Sequence, residues 1–236
     1  MNKKILFVIP MIILMCGCNN ENTSSVSDST SPTSSDTSSS TSEDISTNTS
    51  TNDDSSSEEI LKRYSVSTCN LEETFKAGTQ LDVSDNISEQ NKANVDKFVK
   101  YLNENFETKD FVKTLSTSKC QFGYYKDENH SALQLGSGKK DGSIEMEFNY
   151  PIKGIELSVI NYSKAPYTID KNSEFEIGAS LDSLEKYDLK TESEIVTKTV
   201  DIKFDSPTSK IFMQANGYST YGSAGRVNIE YFVFYY

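Results

Sequence analysis

From Ala132 to Tyr236 apolar residues recur at every second position, and this alternation constrains the chain more than any other feature. Ile144, Met146 and Phe148 are interleaved with Glu145 and Glu147. Ile155, Leu157 and Val159 repeat the pattern, as do Val200, Ile202 and Phe204 against Asp201, Lys203 and Asp205. A period of two sends alternate side chains to opposite faces of a strand. A parallel strand, covered on both faces, would be apolar throughout; alternation with charge belongs to antiparallel sheets with one wet face. Further segments at Ala132–Leu135, Phe175–Ala179, Ile211–Met213 and Val227–Tyr236 bring the count to about eight short strands between polar turns. Gly136, Gly138 and Gly142, then Gly217, Gly222 and Gly225, supply turn positions. The expected fold is mainly β, an antiparallel β-sandwich of jelly-roll type rather than a doubly wound fold.

One helix is expected in addition. Val95, Phe98, Val99, Leu102 and Phe106 recur at spacings of three and four, with Lys92, Asp96, Lys97, Lys100 and Glu104 elsewhere. This predicts a helix near 90–106, capped by Ser88 and packed on the sheet. Residues 58–110 thus form a mixed preface, with a strand at Tyr64–Cys69, and residues 111–236 the β-sandwich body.

Composition changes sharply at Glu58. From Asn19 to Ser57, 24 of 39 residues are Ser or Thr, seven are acidic and none is basic. Such a segment cannot bury enough apolar surface to offset its chain entropy. Residues 18–57 therefore read as a disordered, acidic tether spanning roughly 35 Å or more. Ahead of it, Asn2-Lys3-Lys4 precedes an apolar run from Ile5 to Met15, broken only by Pro10. The run is too short for a membrane helix, which needs about 20 residues; a basic start and a short apolar core have the layout of a secretory signal. The next residues, Met15-Cys16-Gly17-Cys18, resemble the bacterial lipobox. The resemblance implies a signal peptide at 1–17, acylation of Cys18 as the first mature residue, and a protein held at the extracellular side of the cell membrane by its lipid. The formal charge of −12 argues against nucleic acid as a partner, because phosphates would be repelled.

A second resemblance lies in the body. Leu133-Gln-Leu-Gly-Ser-Gly-Lys-Lys-Asp-Gly-Ser-Ile144 and Gly225-Arg226-Val227-Asn228-Ile229 are similar to turns in β-sandwich modules of low-GC Gram-positive secreted proteins. Such modules occur in lipoproteins and appended to some secreted nucleases. The resemblance implies a non-catalytic accessory module over residues 111–236.

The chain is poor in catalytic sets. His130 is its one histidine and falls in the polar stretch Asp127–Ser131, which reads as a loop. No nucleophile elbow, phosphate-binding loop or dinucleotide fingerprint occurs. One His with two remaining Cys does not build a zinc site, and no metal or cofactor is expected, although Asp82, Asp85 and Asn86 cluster loosely. Glu145/Glu147 and Glu174/Glu176 each share a strand face, which leaves a glycoside hydrolase with paired carboxylates as a rival reading. The more specific signal is Asn216-Gly-Tyr-Ser-Thr-Tyr221, small polar residues around two aromatic rings. Tyr218 and Tyr221 could stack on a sugar while Asn216 orients it. The terminal Tyr231–Tyr236 segment reads as a buried central strand. With Cys16 removed and Cys18 acylated, Cys69 and Cys120 are the candidate disulfide, an outcome an oxidising compartment allows. The leading expectation is a surface module binding a glycan or another surface protein; the alternatives are the hydrolase and a purely structural envelope lipoprotein.

Overall fold

The computed structural model describes residues 61–84, 88–164 and 168–236. The signal peptide, Cys18 and the tether lie outside the described residues, as do Asp85 and Asn86 of the loose acidic cluster.

Among the described residues eleven strands and two helices follow in chain order. β1 is Arg63–Ser67, α1 Glu89–Asn103, β2 Val112–Ser118, β3 Cys120–Tyr125 and β4 Asp127–Leu135. Then come β5 (Gly142–Asn161), β6 (Ser163–Lys164), β7 (Thr168–Ile169), β8 (Glu174–Gly178) and β9 (Glu185–Asp188). β10 (Thr197–Ala215), α2 (Gly217–Tyr221) and β11 (Val227–Tyr235) close the chain. All but the β6–β7 ribbon belong to one antiparallel sheet of order β3-β4-β11-β5-β10-β8-β9, with β1 on β11 and β2 on β5.

The sheet curls into a sandwich because its two longest strands serve both leaves. The second half of β5 pairs with β11, and its first half pairs with β2. β10 follows β5 through both halves and adds β8 to the second leaf. Midway the face assignment inverts. In β5 the core residues are Ile144, Met146 and Phe148, then Ile155, Leu157 and Val159; in β10 they are Val200 and Ile202, then Ile211 and Met213. Even positions face inward before the inversion and odd positions after it. The register between the strands breaks between Lys203 and Lys210, and the exposed Pro151 and Pro207 lie in these breaks. A bulge turns a strand over and bends it, and a proline is tolerated there because no ladder donor is missed. The break is how each strand turns the corner while keeping its apolar side inward.

One core fills the space between the leaves. Phe148 of the second leaf meets Phe234 of the first at 5.4 Å between ring centroids, and Phe111 touches both. α1 closes one end. Ser88 Oγ accepts from the Asn91 amide at 3.0 Å, and Val95, Phe98 and Leu102 are buried. Phe98 packs edge-on against Phe75 and Phe122. The expected helix, its cap and its packing are all found, although regular hydrogen bonding ends at Asn103, short of Phe106. Among the described residues no helix is long and apolar enough to cross a membrane.

Two expectations are corrected. His130 belongs to β4 rather than to a loop; its Nδ1 lies 2.8 Å from Asp127 on an exposed edge. Cys69 and Cys120 are free thiols. Cys120 pairs with Leu135 on one side of β4, and Cys69 bridges Ala132 on the other. Two strand spacings across β4 and three residues along it put them about 14 Å apart, beyond the ~7 Å a disulfide spans. Burial pushes the Cys120 thiol up.

Candidate functional site

The outer face of the second leaf gathers most of the singled-out residues. Because β2, β5, β10 and β8 are in register, its side chains form rows. One row runs Ser118, Ser143, Gln214, Glu176 and ends on Lys186 of β9. The next is Ser116, Glu145, Phe212 and Gly178. The third is Thr114, Glu147 and Lys210. A groove of about 330 Å³ lies over the first two rows, walled by Ser84 on one side and by the exposed Leu181 on the other. Phe212, half-buried, is the aromatic surface of its floor. Gly178 opposite Phe212 has no side chain to cover the ring. A Cβ there would stand 2.3 Å from the Ser183 carbonyl oxygen, so the loop bearing Leu181 can close down only on glycine.

The carboxylates of this face are already held. Lys210 reaches Glu145 at 2.5 Å. Glu147 accepts from Lys113 at 2.7 Å and from Thr114 at 3.2 Å. The Lys113 hydrogen bond keeps the Glu147 carboxyl below the usual range. Glu176 accepts from the side-chain amides of Gln214 at 2.6 Å and Asn216 at 2.7 Å. Glu174 is buried and meets Lys186 at 2.6 Å and the Tyr221 hydroxyl at 3.0 Å. Each is an oriented acceptor; Glu145, Glu147 and Glu174 have a lysine as partner, and Glu176 has two neutral amides. Together they form a hydrogen-bonding surface of serines, an amide and tethered carboxylates around one ring.

The tyrosine loop is the short helix α2 and borders this face. Its first amides, from Tyr218 and Ser219, donate to Asp141 at 2.9 and 3.1 Å. Gly217 and Gly225 cross so closely that a Cβ on either would stand under 3 Å from the other's Cα and from the Asn172 carbonyl oxygen. The glycine-rich segments at 136–142 and 217–225 therefore converge on one corner. Of the predicted residues, Asn216 lies beside the groove through Glu176. Tyr218 and Tyr221 are half-buried; Tyr221 bonds to Glu174, with the Lys190 ammonium 4.2 Å over its ring. The ring at the centre of the groove is Phe212, which sequence reasoning passed over. The signal was present: Ile211 and Met213 face inward, so alternation puts Phe212 outside.

The acidic cluster does not assemble a cation site in the described part. Asp82 is taken up by Lys119 at 2.7 Å and by Ser84. Among the described residues no group of three or more His, Cys, Asp or Glu could hold a metal ion.

No protein-family model matches the chain, and no curated protein matches it. Solved structures with partial similarity include a mutant of a family 29 carbohydrate-binding module, at 15% identity and TM-score 0.34, covering 74% of this chain and 93% of that one. A family 29 carbohydrate-binding module from Piromyces equi aligns at 11% identity and TM-score 0.33, covering 51% and 79%. TmCBM61 in complex with β-1,4-galactotriose aligns at 14% identity and TM-score 0.34, covering 57% and 96%. At these scores the similarity assigns neither a family nor a ligand.

Proposed function

We propose that the protein is a non-catalytic glycan-binding module displayed on the cell surface. The observation that carries this reading is the groove over β2, β5 and β10, where Phe212 stands among Ser116, Ser118, Ser143, Glu145 and Gln214. A sugar ring has an apolar C–H face and a hydroxylated rim. An aromatic side chain matches the first, and carboxylates, amides and hydroxyls fixed in orientation match the second. Because the carboxylates are pinned by Lys210, Lys113 and the two amides, they are pre-organised to accept from hydroxyls rather than free to exchange protons. Asn216 extends the polar edge of the same site.

The surface location rests on the N-terminal sequence alone. Cys18 is the proposed acylation site, and residues 18–57 would set the module away from the membrane. Replacing Cys18 by Ser should release the protein into the medium or leave it unprocessed; membrane retention at mature size would contradict the anchor.

The binding reading is tested by screening the full chain against immobilised glycans and cell-wall fragments. The wild type should bind a glycan that Phe212→Ala binds about tenfold more weakly, the scale of losing one anchoring aromatic contact. Binding that survives Phe212→Ala and Gln214→Ala unchanged would contradict the assignment.

A further inference from the structure

The opposite face of the molecule carries a second array that the groove does not explain. On the first leaf β1, β11, β5 and β10 are in register over three rows. Tyr235 lies between Arg63 and Gly154. Val233 lies between Ser65 and Glu156, and Glu156 faces Asp201. Tyr231 lies between Ser67 and Ser158. Phe232 and Phe234 point into the core, so β11 is a central strand as expected, but its alternate residues put two tyrosines on the outside.

These rings are held in place. The Tyr231 hydroxyl donates to one oxygen of Glu156 at 3.1 Å, and the Tyr235 hydroxyl donates to the other at 3.0 Å. Both phenols therefore reach across the sheet from β11 to β5. Gly154 permits this for Tyr235: a Cβ there would already touch the ring at 3.4 Å, and the Ile202 carbonyl oxygen at 2.6 Å. Val233 between the rings is buried, while the rings remain half-exposed. The two tyrosines are four residues apart on one strand, about 14 Å. Burial, followed by the hydrogen bond to Glu156, raises both phenols, so they remain neutral donors.

We propose that this face is a second binding surface, independent of the Phe212 groove, for a linear neutral polysaccharide lying across Tyr231 and Tyr235. A carboxylate at both hydroxyls enriches the ring faces in electron density, which favours contact with the C–H faces of sugars. The facing Glu156–Asp201 pair accepts from hydroxyls and repels a polyanion such as a uronate or phosphate polymer. Two half-exposed rings about 14 Å apart along one strand suit an extended chain rather than a compact ligand. With a site on each leaf, one molecule can bridge two chains, and its avidity for a polymer exceeds that of either face.

The test uses the full chain with insoluble cellulose, mannan and galactan as neutral probes and polygalacturonate as the anionic one. The double variant Tyr231→Ala/Tyr235→Ala should lose about tenfold in retention on at least one neutral polymer, whereas Tyr231→Phe/Tyr235→Phe keeps the rings and most of the retention. Phe212→Ala should leave the tyrosine-dependent part intact, which separates this inference from the groove. Nitration of the wild type, read by peptide mass, guards against a double variant that fails to fold: the neutral polymer should protect Tyr231 and Tyr235. The proposal is overturned by unchanged retention of the alanine variant, equal losses in the alanine and phenylalanine variants, absence of protection, equal binding of polygalacturonate, or failure of the wild type to bind any neutral probe.

Discussion

Asp170 and Arg226 show how this protein keeps a charge inside. Arg226 Nε and Nη2 donate to the two Asp170 oxygens at 2.7 and 2.8 Å, its backbone amide donates at 2.9 Å, and its guanidinium lies 3.5 Å from the Tyr162 ring centroid. With both Asp170 oxygens matched, the pair fixes the strand entry of β11, which carries residues of the outer tyrosine face. Breaking it leaves a buried, uncompensated charge, so Asp170→Ala should cost about 3 kcal/mol in chemical denaturation. Asp82 makes a pH prediction. Burial raises its pKa, but the hydrogen bonds from Lys119 and Ser84 outweigh that and bring it to about 2, below the unfolded value of about 3.9. A depressed carboxylate stabilises the fold above its unfolded pKa, and that stability is lost as pH falls from about 4 towards 2. The Asp82→Asn variant should lack this component, at most about 2.5 kcal/mol, when denaturation midpoints are compared across that window. At the glycine crossing, Gly225→Ala should destabilise by about 2 kcal/mol or more, since its Cβ would meet backbone at 2.4 Å. A melting temperature equal to wild type would contradict that contact.

Among the elements, α1 was the most legible, because a 3.6-residue period, a cap and a buried stripe all agreed. Ser88→Ala should cost about 1 kcal/mol. Phe98→Ala, which empties a fully buried site between Phe75 and Phe122, should cost about 3–5 kcal/mol in urea titrations. The strands were legible as strands but not as leaves. Ile144–Phe148 and Ile155–Val159 have opposite phase and flank Pro151, which reads as two strands and a turn; the chain instead continues as β5 and inverts its faces at a bulge. β10 hides the same device between Phe204 and Ile211, around Pro207. Nothing local distinguishes an inverting bulge from a turn, because the difference lies in whether the partner strand follows. β3 escaped notice because Gly123 and two adjacent tyrosines blur its alternation; of β4 the second half, Ala132–Leu135, was legible, and the first half was not because it is polar at an exposed edge.

At the scale of the whole molecule, register gathers what the sequence scatters. Glu145, Glu147, Glu174 and Glu176 come from β5 and β8 and Asn216 from the link between β10 and α2, and they meet on one face only because those strands pair as they do. The sequence marked these residues by type and spacing; it could not mark their lysine and amide partners, which arrive from β2, β9 and β10. Spacing alone made the paired carboxylates suggest hydrolysis; in the fold Lys210, Lys113 and the amides of Gln214 and Asn216 hold them as oriented acceptors. We propose that this surface, with Phe212 on its floor, binds glycan. The most direct measurement is electrophoresis of the full chain through native gels containing soluble neutral polysaccharides, with wild type and Phe212→Ala run side by side. The wild type should be retarded by at least one polymer, and the variant should need about tenfold more of it for the same retardation. Equal mobility of the two proteins in every gel would contradict the claim.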